Sequence, residues 1–263
     1  MSHSTISLGL GLGGGKAATS SGAPGGPGPT PWGNEFSGSF DGTDDYIAIG
    51  NLTNLNSADN FTISVWFKRP ASRSDMLIGG TGGTGIGMYP WGSSKFYVHC
   101  GMTGALSTTL PGEDEWISAI ITYDSSGNTI LYINGSSAGS VSASAIPATA
   151  GNDFRIGSYA AYSNKFLGLI DEVAIWDATT LDASNVGEVY NSGAPMDLAA
   201  NSGNYDQSSN LTHWYRFGDD ADDTGSGGVA DGNVITNIEN AANSGTNDGT
   251  PTSAPTFSTT VPT

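Results

Sequence analysis

Carboxylates are the side chains of this sequence that could carry out chemistry, and they fall into three short groups. The groups lie in FDGTDDY, in LIDEV and directly after WYRF: Asp41, Asp44 and Asp45; Asp171 and Glu172; Asp219, Asp220, Asp222 and Asp223. Two carboxylates about 5–5.5 Å apart can hydrolyse a glycosidic bond, and several together can hold Ca²⁺. Asp171 and Glu172 are neighbours in a β-like segment, where successive side chains point to opposite faces. We therefore expect that these two do not act as a pair.

A second group of candidate residues is aromatic and suits carbohydrate binding. Three of these residues lie in MYPWGSSKFYVH and two in SYAAYSN: Tyr89, Trp91, Tyr97, Tyr159 and Tyr162. An exposed ring with a polar group beside it offers an apolar surface and a hydrogen bond to the same ligand. The alternative is that these rings are partly buried anchors of their loops.

Charge and composition exclude several other kinds of function. The 263 residues include 8 Lys+Arg and 25 Asp+Glu, which gives a net charge of −17 and argues against nucleic-acid binding. The single Cys100 permits no internal disulfide and no cysteine-based zinc site. The stretch GGTGGTGIG (79–87) is followed by no Lys-Ser/Thr pair, so we interpret it as a flexible loop and not as a phosphate site.

The elements that must position these residues are predicted to be β-strands. Glycine accounts for 39 of the 263 residues, and charged residues make up only 13% of the sequence. This composition favours short strands joined by turns. Phe61–Lys68 alternates strictly, with Phe61, Ile63, Val65 and Phe67 on one face. Further strands are predicted at Lys95–Cys100, Trp116–Asp124, Thr129–Gly135, Asp153–Tyr159 and Phe166–Asp177. This rhythm predicts an all-β fold, a two-sheet antiparallel jelly-roll sandwich.

One short helix and one extended arm complete the predicted organisation. The helix covers about 182–190, with Asp182 as N-cap, Val186 and Val189 on its inner face and Gly193 as its stop. Residues 1–34 are rich in Gly and Pro and form a separate N-terminal region. In it, Ile6, Leu8, Leu10 and Leu12 alternate with Ser or Gly, which is typical of a strand that adds to a partner. The alternative is a disordered tail.

Five segments occur in an order that resembles a known family. They are FSGSFDGTDDYIAIG, FTISVWFKRP, WISAIITYD with ILYINGSSAGS, FRIGS, and FLGLIDEVAIWDATTLDASNVGEVYNSG, over about 36–193. Together they resemble the laminin-G-like jelly roll of the concanavalin A-like lectin/glucanase superfamily. The resemblance implies two antiparallel sheets packed face to face, one of them concave. Glycosidases of the superfamily carry E-x-D-x-x-E or a similar motif, which is missing from this sequence, so we expect no enzymatic activity.

The resemblance also implies a rearranged chain. Family members usually begin with a W-x-F-D strand, whereas a similar motif occurs here downstream, in LTHWYRFGDD (211–220). We therefore predict a circularly permuted domain over 35–263, completed by a C-terminal strand at about 211–217. First and last strands lie near each other in this superfamily, which implies a structural Ca²⁺ held by Asp41, Asp171 and Asp219. The alternative is that Asp41 and Asp44 only form their turn.

The permuted form resembles structural proteins of marine bacteriophages, and this resemblance implies a role in a virion. We expect a non-enzymatic capsid-decoration or tail-associated protein, made in the host cytoplasm without a signal peptide and located at the virion surface. The arm would bind other virion proteins or copies of the chain in a homo-oligomer, and the jelly roll would contact glycans. The alternative function is a free or surface carbohydrate-binding lectin. A glycoside hydrolase ranks third.

Overall fold

The computed structural model describes residues 33–50, 52, 55, 60–70, 73–80, 85–100, 106–142, 154–159, 164–219, 250–253 and 255–263. The chain divides into Met1–Pro31 and Trp32–Thr263, and every described residue belongs to the second unit. The predicted arm residues Ile6, Leu8, Leu10 and Leu12, as well as Tyr162, lie outside the described residues.

Short strands make up most of the described chain, and one α-helix follows the twelfth strand. The elements are β1 (Ser37–Asp41), β2 (Tyr46–Gly50), β3 (Phe61–Lys68), β4 (Ile78–Gly79), β5 (Ile86–Trp91), β6 (Lys95–Cys100), β7 (Leu106–Thr109), β8 (Trp116–Tyr123), β9 (Asn128–Ile133), β10 (Ser136–Ser142), β11 (Phe154–Ile156), β12 (Leu167–Asp177), α1 (Ala183–Tyr190), β13 (Leu211–Tyr215), β14 (Thr250–Thr252) and β15 (Thr256–Ser258). In this part of the chain, no helix has the length and apolarity of a membrane span.

The strands form two antiparallel sheets. The first sheet has the order β10-β9-β8-β3-β12-β1-β15, with β13 also paired to β12, and the second has the order β14-β2-β11-β4-β5-β6-β7. The main core lies between them and includes Phe61, Ile63, Val65 and Phe67 from β3, each with no exposed surface. The predicted all-β sandwich with one short helix is therefore confirmed.

The outer face of the first sheet is covered by α1 and the segment 194–210. A second apolar cluster lies beneath them and includes Trp176, Val186, Val189 and Tyr205. The indole N–H of Trp176 donates to the hydroxyl of Tyr205 at 3.0 Å. Both faces of this sheet are therefore occupied by the protein itself.

The helix has the predicted bounds, but a different residue caps its C-terminus. The carboxylate of Asp182 accepts from the backbone N–H of Asn185 at 2.8 Å, and Val186 and Val189 are buried, which confirms the cap and the inner face. The predicted stop at Gly193 is wrong, because the C-cap is Asn191 in the left-handed region, at φ 46°. Asparagine tolerates this conformation better than most residues.

Strand β12 carries two partners along one of its edges. β1 pairs with Leu167–Ile170, and β13 pairs with Val173–Trp176, while β3 pairs along the opposite edge. A bulge between Asp171 and Ala174 separates the two halves. The predicted strand at 211–217 is thus observed over 211–215, and the circular permutation stays a prediction.

Candidate functional site

The outer face of the second sheet carries a cluster of rings. In β5 and β6, Tyr89 lies opposite Tyr97, and Trp91 lies opposite Lys95. The alternate residues Met88, Phe96 and Val98 face the core, so period-2 alternation directs the rings outward. We call Tyr89, Trp91, Tyr97 and His99 the aromatic cluster.

The rings of the aromatic cluster contact one another. Tyr89 stacks on Tyr97 and on His99, with centroid separations of 5.7 and 5.5 Å. Trp91 meets Tyr89 and Tyr97 edge-on, at 6.1 and 5.7 Å. Trp91 is 51% exposed, and it is the one large apolar side chain among the described residues that is exposed to this degree. Two neighbouring rings therefore hold an indole that keeps half of its surface open.

A pocket of about 380 Å³ adjoins the aromatic cluster, within the size range of small-ligand sites. It is lined by Ser74, Met76, Gly85, Ile86, Gly87, Tyr89, Trp91, His99, Tyr159 and Asn164. Gly79 lets the Tyr159 ring pack closely against the backbone of β4, because a Cβ there would lie 3.0 Å from this ring. The segment 79–87 is only in part a loop, which corrects the sequence interpretation: Gly79 ends β4 and Ile86 begins β5.

Hydrogen bonds to backbone carbonyls hold the rim of the pocket. The guanidinium of Arg69, 2% exposed, donates to the carbonyls of Gly92 and Ser93 at 2.6 and 2.8 Å. These carbonyls belong to the turn between β5 and β6, directly after Trp91. The amide of Asn164 donates to the carbonyl of Ser74 at 2.8 Å. The rim is thus fixed by hydrogen bonds to backbone, which pre-forms the site.

His99 provides a polar group inside the aromatic cluster. Its Nε2 lies 2.7 Å from the hydroxyl of Tyr89. Burial lowers the pKa of His99, so the imidazole is neutral at neutral pH and Nε2 can accept from this hydroxyl. The pair presents hydrogen-bonding atoms next to apolar ring faces.

The structure brings four of the five predicted aromatic residues to one place. Tyr89, Trp91 and Tyr97 meet in the aromatic cluster, while Tyr159 lines the pocket and is only 7% exposed. Sequence reasoning missed His99, although its position two residues after Tyr97 in a strand places it on the same face. It also missed Ser74, Met76 and Asn164, whose approach depends on tertiary structure.

The carboxylates Asp171, Glu172 and Asp219 lie near one another, with Arg216, inside the first sheet. Glu172 accepts from the indole N–H of Trp214 at 2.5 Å and from Nε of Arg216 at 3.2 Å. The bulge in β12, where Glu172 has φ 48°, breaks the alternation on which the sequence expectation relied. Asp171 and Glu172 are therefore close neighbours in one buried network, and not independent groups on opposite faces.

The same network fixes the segment before β1. The carboxylate of Asp219 accepts from the backbone N–H of Glu35 at 2.9 Å, and Arg216 donates to the carbonyl of Gly33. Burial, then the charge of Glu172, raises the pKa of Asp171 well above its usual range. Burial also raises the pKa of Glu172 to about 7, against the opposing effect of Arg216. This network is structural, because its polar groups are directed at the protein itself.

The three residues of the predicted calcium site do not come together as one group: Asp171 and Asp219 lie near each other, while Asp41 belongs to a different group of carboxylates. Asp41 pairs with Leu167 in the ladder and lies in a turn with Asp44 and Asp45, where the ligand atoms of the three are within 4.8 Å of one another. Asp41 also accepts from the N–H of Thr43 at 2.7 Å, as a turn-forming aspartate does. Asp219 lies instead 3.8 Å from the guanidinium of Arg216, a charge that disfavours a second cation. The predicted set does not fit a calcium ion, and calcium binding elsewhere stays a prediction.

Comparisons with known proteins agree with this architecture. The Laminin_G_3 family, described as the concanavalin A-like lectin/glucanases superfamily, matches residues 41–187. No curated protein sequence matches the chain.

Among solved structures, a Bacteroides ovatus protein provisionally assigned to carbohydrate binding is 19% identical, with a TM-score of 0.59. The match covers 88% of this chain and 62% of that protein, so the chain spans less than two thirds of its length.

Two further structures show weaker likeness. The heptameric SAP-like pentraxin of Limulus polyphemus is 13% identical over 60% of this chain and 82% of its own, with a TM-score of 0.45. Domain 4 of the Geobacillus stearothermophilus arabinanase AbnA, solved with arabinotriose, is 20% identical over 52% of this chain and 69% of its own, with a TM-score of 0.43. The family match, over residues 41–187, covers more than half of the sequence. The chain therefore belongs to the laminin-G-like branch of the concanavalin A-like lectin/glucanase superfamily.

Proposed function

We propose that the protein is a glycan-binding module whose binding site is the pocket beside the aromatic cluster. The observation that carries the proposal is the half-exposed indole of Trp91, held against Tyr97 at the edge of this pocket. The C–H face of a sugar ring packs on such a surface, while its hydroxyls need the few polar groups that line the pocket. Ser74, His99 and Asn164 supply these groups.

Two further observations support this site. The outer face of the first sheet is covered by α1 and 194–210, whereas no α-helix among the described residues covers the outer face of the second sheet. The Bacteroides ovatus protein of the same fold is itself assigned, provisionally, to carbohydrate binding. A lectin-like role for this chain is consistent with both.

The module acts, in this proposal, without catalysis. Asp171 and Glu172 are 0% and 2% exposed, so neither reaches a bound sugar. The segment GSSAG (135–139) matches the G-x-S-x-G pattern of serine nucleophiles, but that pattern requires a strand–turn–helix context. Here most of the segment lies in the edge strand β10.

The finer part of the proposal is display on a virion surface, and it rests on the sequence. Ile6, Leu8, Leu10 and Leu12 alternate with small residues, which suits strand addition to a partner. Replacing the three leucines with Ser would then abolish incorporation of the protein into particles. Undiminished incorporation would leave the free lectin as the proposed form.

The glycan proposal is tested with an array of immobilised oligosaccharides followed by calorimetry on the best ligand. We expect Trp91→Ala to weaken binding at least about tenfold, or about 1.4 kcal/mol, with little change in the unfolding midpoint because half of the indole is exposed. Trp116→Phe is the matched control, since Trp116 lies on β8 of the other sheet. Equal binding by Trp91→Ala and wild type would contradict the proposed site.

A further inference from the structure

The pocket beside the aromatic cluster offers no fixed charge to a ligand. Besides the tyrosine hydroxyls, its polar side chains are Ser74, His99 and Asn164, and none of the described lining residues is a carboxylate, Lys or Arg. The segments 81–84 (TGGT) and 160–163 (AAYS), which lie between lining residues in the chain, contain no charged residue either. Nothing in the lining would offset the desolvation of an ionic ligand, and the net charge of −17 repels anions. The pocket therefore favours an uncharged ligand.

Two glycines lie side by side on the outer face of the second sheet, and one of them lines the pocket. Gly79 of β4 pairs with Gly87 of β5, and Gly87 is the lining residue. Their chain neighbours Ile78 and Met88 face the core, so alternation places both glycines on the outer face. At this level of the sheet, β4 and β5 therefore contribute no side chain of their own to that face.

The thioether of Met76 lies over this pair of glycines. A Cβ added at Gly79 would lie 3.3 Å from Sδ of Met76, and a Cβ added at Gly87 would lie 3.7 Å from both Sδ and Cε. Gly79 is also covered by the ring of Tyr159, whereas Gly87 and Met76 both line the pocket. Met76 is only partly buried. Its thioether therefore gives the pocket an apolar and polarisable surface.

This apolar surface discriminates between a hydroxyl and a methyl group of a ligand. The amide of Asn164 and the hydroxyl of Ser74 can bind sugar hydroxyls, but the sulfur of Met76 is only a weak acceptor. A hydroxyl placed against the thioether would lose its hydrogen bond to water without an equal replacement. A methyl group in the same position would gain free energy from its burial.

We propose that the pocket binds an uncharged saccharide that bears a methyl group, and that Met76 determines this specificity. This inference rests on the proposed glycan-binding function and names the class of glycan. The methyl group packs on the thioether, while the sugar ring packs on the aromatic cluster. Two kinds of neutral sugar carry such a group: N-acetylhexosamines in their acetamido substituent, and 6-deoxyhexoses at C6.

The test compares saccharides that differ in the methyl-bearing group, by calorimetry on the full chain. Fully N-acetylated chitotetraose is compared with cellotetraose, which has a hydroxyl in place of each acetamido group. L-Fucose is compared with L-galactose, which has a hydroxyl at C6, so the two arms distinguish the acetamido methyl from the deoxy methyl. We expect one methyl-bearing member to bind at least about tenfold more tightly than its counterpart. Its affinity should not fall as salt is raised, because no ionic contact is involved.

Variants of Met76 then locate the preference. Met76→Gln replaces the thioether with an amide and should reduce the preference several-fold, whereas Met76→Leu keeps an apolar side chain of similar volume and should retain it. Met196→Gln makes the same replacement at a partly buried methionine that packs on the second apolar cluster, and it should leave the preference unchanged. Trp91→Ala should weaken both members of each pair alike. Urea unfolding shows that each variant is folded.

The failure of this inference and that of the proposed function give different results. Equal affinity for the two members of each pair, a preference that Met76→Gln leaves intact, or an affinity that falls with salt would overturn the methyl-bearing neutral class and leave the glycan site standing. Binding of no saccharide, on the array or in solution, would overturn the glycan site and the inference with it.

Discussion

The buried carboxylate of Glu172 should make the stability of the protein depend on pH in an unusual direction. Its pKa is raised by burial from 4.5 to about 7. An acid with a higher pKa in the folded state stabilises the fold when protonated. This contribution is fully present below pH 4.5 and is lost as the pH rises through 7. We therefore expect the contribution of Glu172 to the free energy of unfolding to fall across this window.

The magnitude follows from the same pKa values. At about 1.36 kcal/mol per pH unit, Glu172 alone lowers the free energy of unfolding by about 3 kcal/mol between pH 4.5 and pH 7. Asp171 and Asp219, whose pKa values are also raised by burial, act in the same direction. Asp41 and Asp124 have lowered pKa values because of hydrogen bonds in their turns, so their opposite effect lies at lower pH, below the window.

Burial lowers the pKa of His213 from 6.5 to about 4 and also lowers that of His99, so these two imidazoles destabilise the fold as the pH falls below 6.5 and oppose Glu172 inside the window. The effect of Glu172 is therefore measured as the difference between the wild type and Glu172→Gln.

The assay is urea unfolding followed by tryptophan fluorescence at a series of pH values. Glu172→Gln keeps an oxygen that can accept from Trp214 but cannot titrate. Between pH 4.5 and 7 its free energy of unfolding should therefore gain about 3 kcal/mol relative to that of the wild type. Glu115→Gln, at an exposed glutamate, should keep the wild-type dependence. A Glu172→Gln variant whose stability depends on pH in the same way as that of the wild type would refute this reasoning.

Three further predictions concern other parts of the molecule. Ending the chain after Gly193 removes β13 and its buried aromatics, each of which contributes about 3–5 kcal/mol, so circular dichroism and chemical unfolding should show no cooperatively folded product. Arg69→Met should weaken glycan binding several-fold, measured by calorimetry, because it releases the turn after Trp91 while the pocket lining is unchanged. Calcium binding is tested by thermal unfolding with added CaCl₂ and with a chelator. Binding raises the midpoint of unfolding. If Asp41→Asn loses this rise while Asp219→Asn keeps it, the ion lies at the turn that contains Asp41.

Much of the fold could be predicted because local rules and tertiary structure agree. In β3 the alternation of Phe61, Ile63, Val65 and Phe67 indicates the buried face directly, and the observed strand has the predicted bounds. The helix could be placed because Asp182 is a good N-cap and Val186 and Val189 share one face. The aromatic cluster follows from the same period of two in β5 and β6.

The rest depends on contacts that local patterns do not encode. The bulge at Glu172 is a single extra residue within a strand of otherwise regular appearance, so alternation placed Asp171 and Glu172 on opposite faces. β12 pairs with both β1 and β13 along one edge, and these two strands lie far apart in the chain. Asn164 reaches Ser74 across 90 positions, and for this reason the pocket rim could not be inferred from sequence spacing.

The position of β1 between β12 and β15 has a consequence for how the protein folds during synthesis. The hydroxyl of Ser37 donates to the carbonyl of Thr260, 223 positions later in the chain, and β15 pairs with β1 on the edge opposite β12. At about 5–20 residues per second, a ribosome needs roughly 10–45 s to cover that interval. During this time β1 has an open hydrogen-bonding edge, which is a site for pairing with another nascent chain. Slow emergence of the last strands therefore leaves β1 open to intermolecular pairing until the end of synthesis.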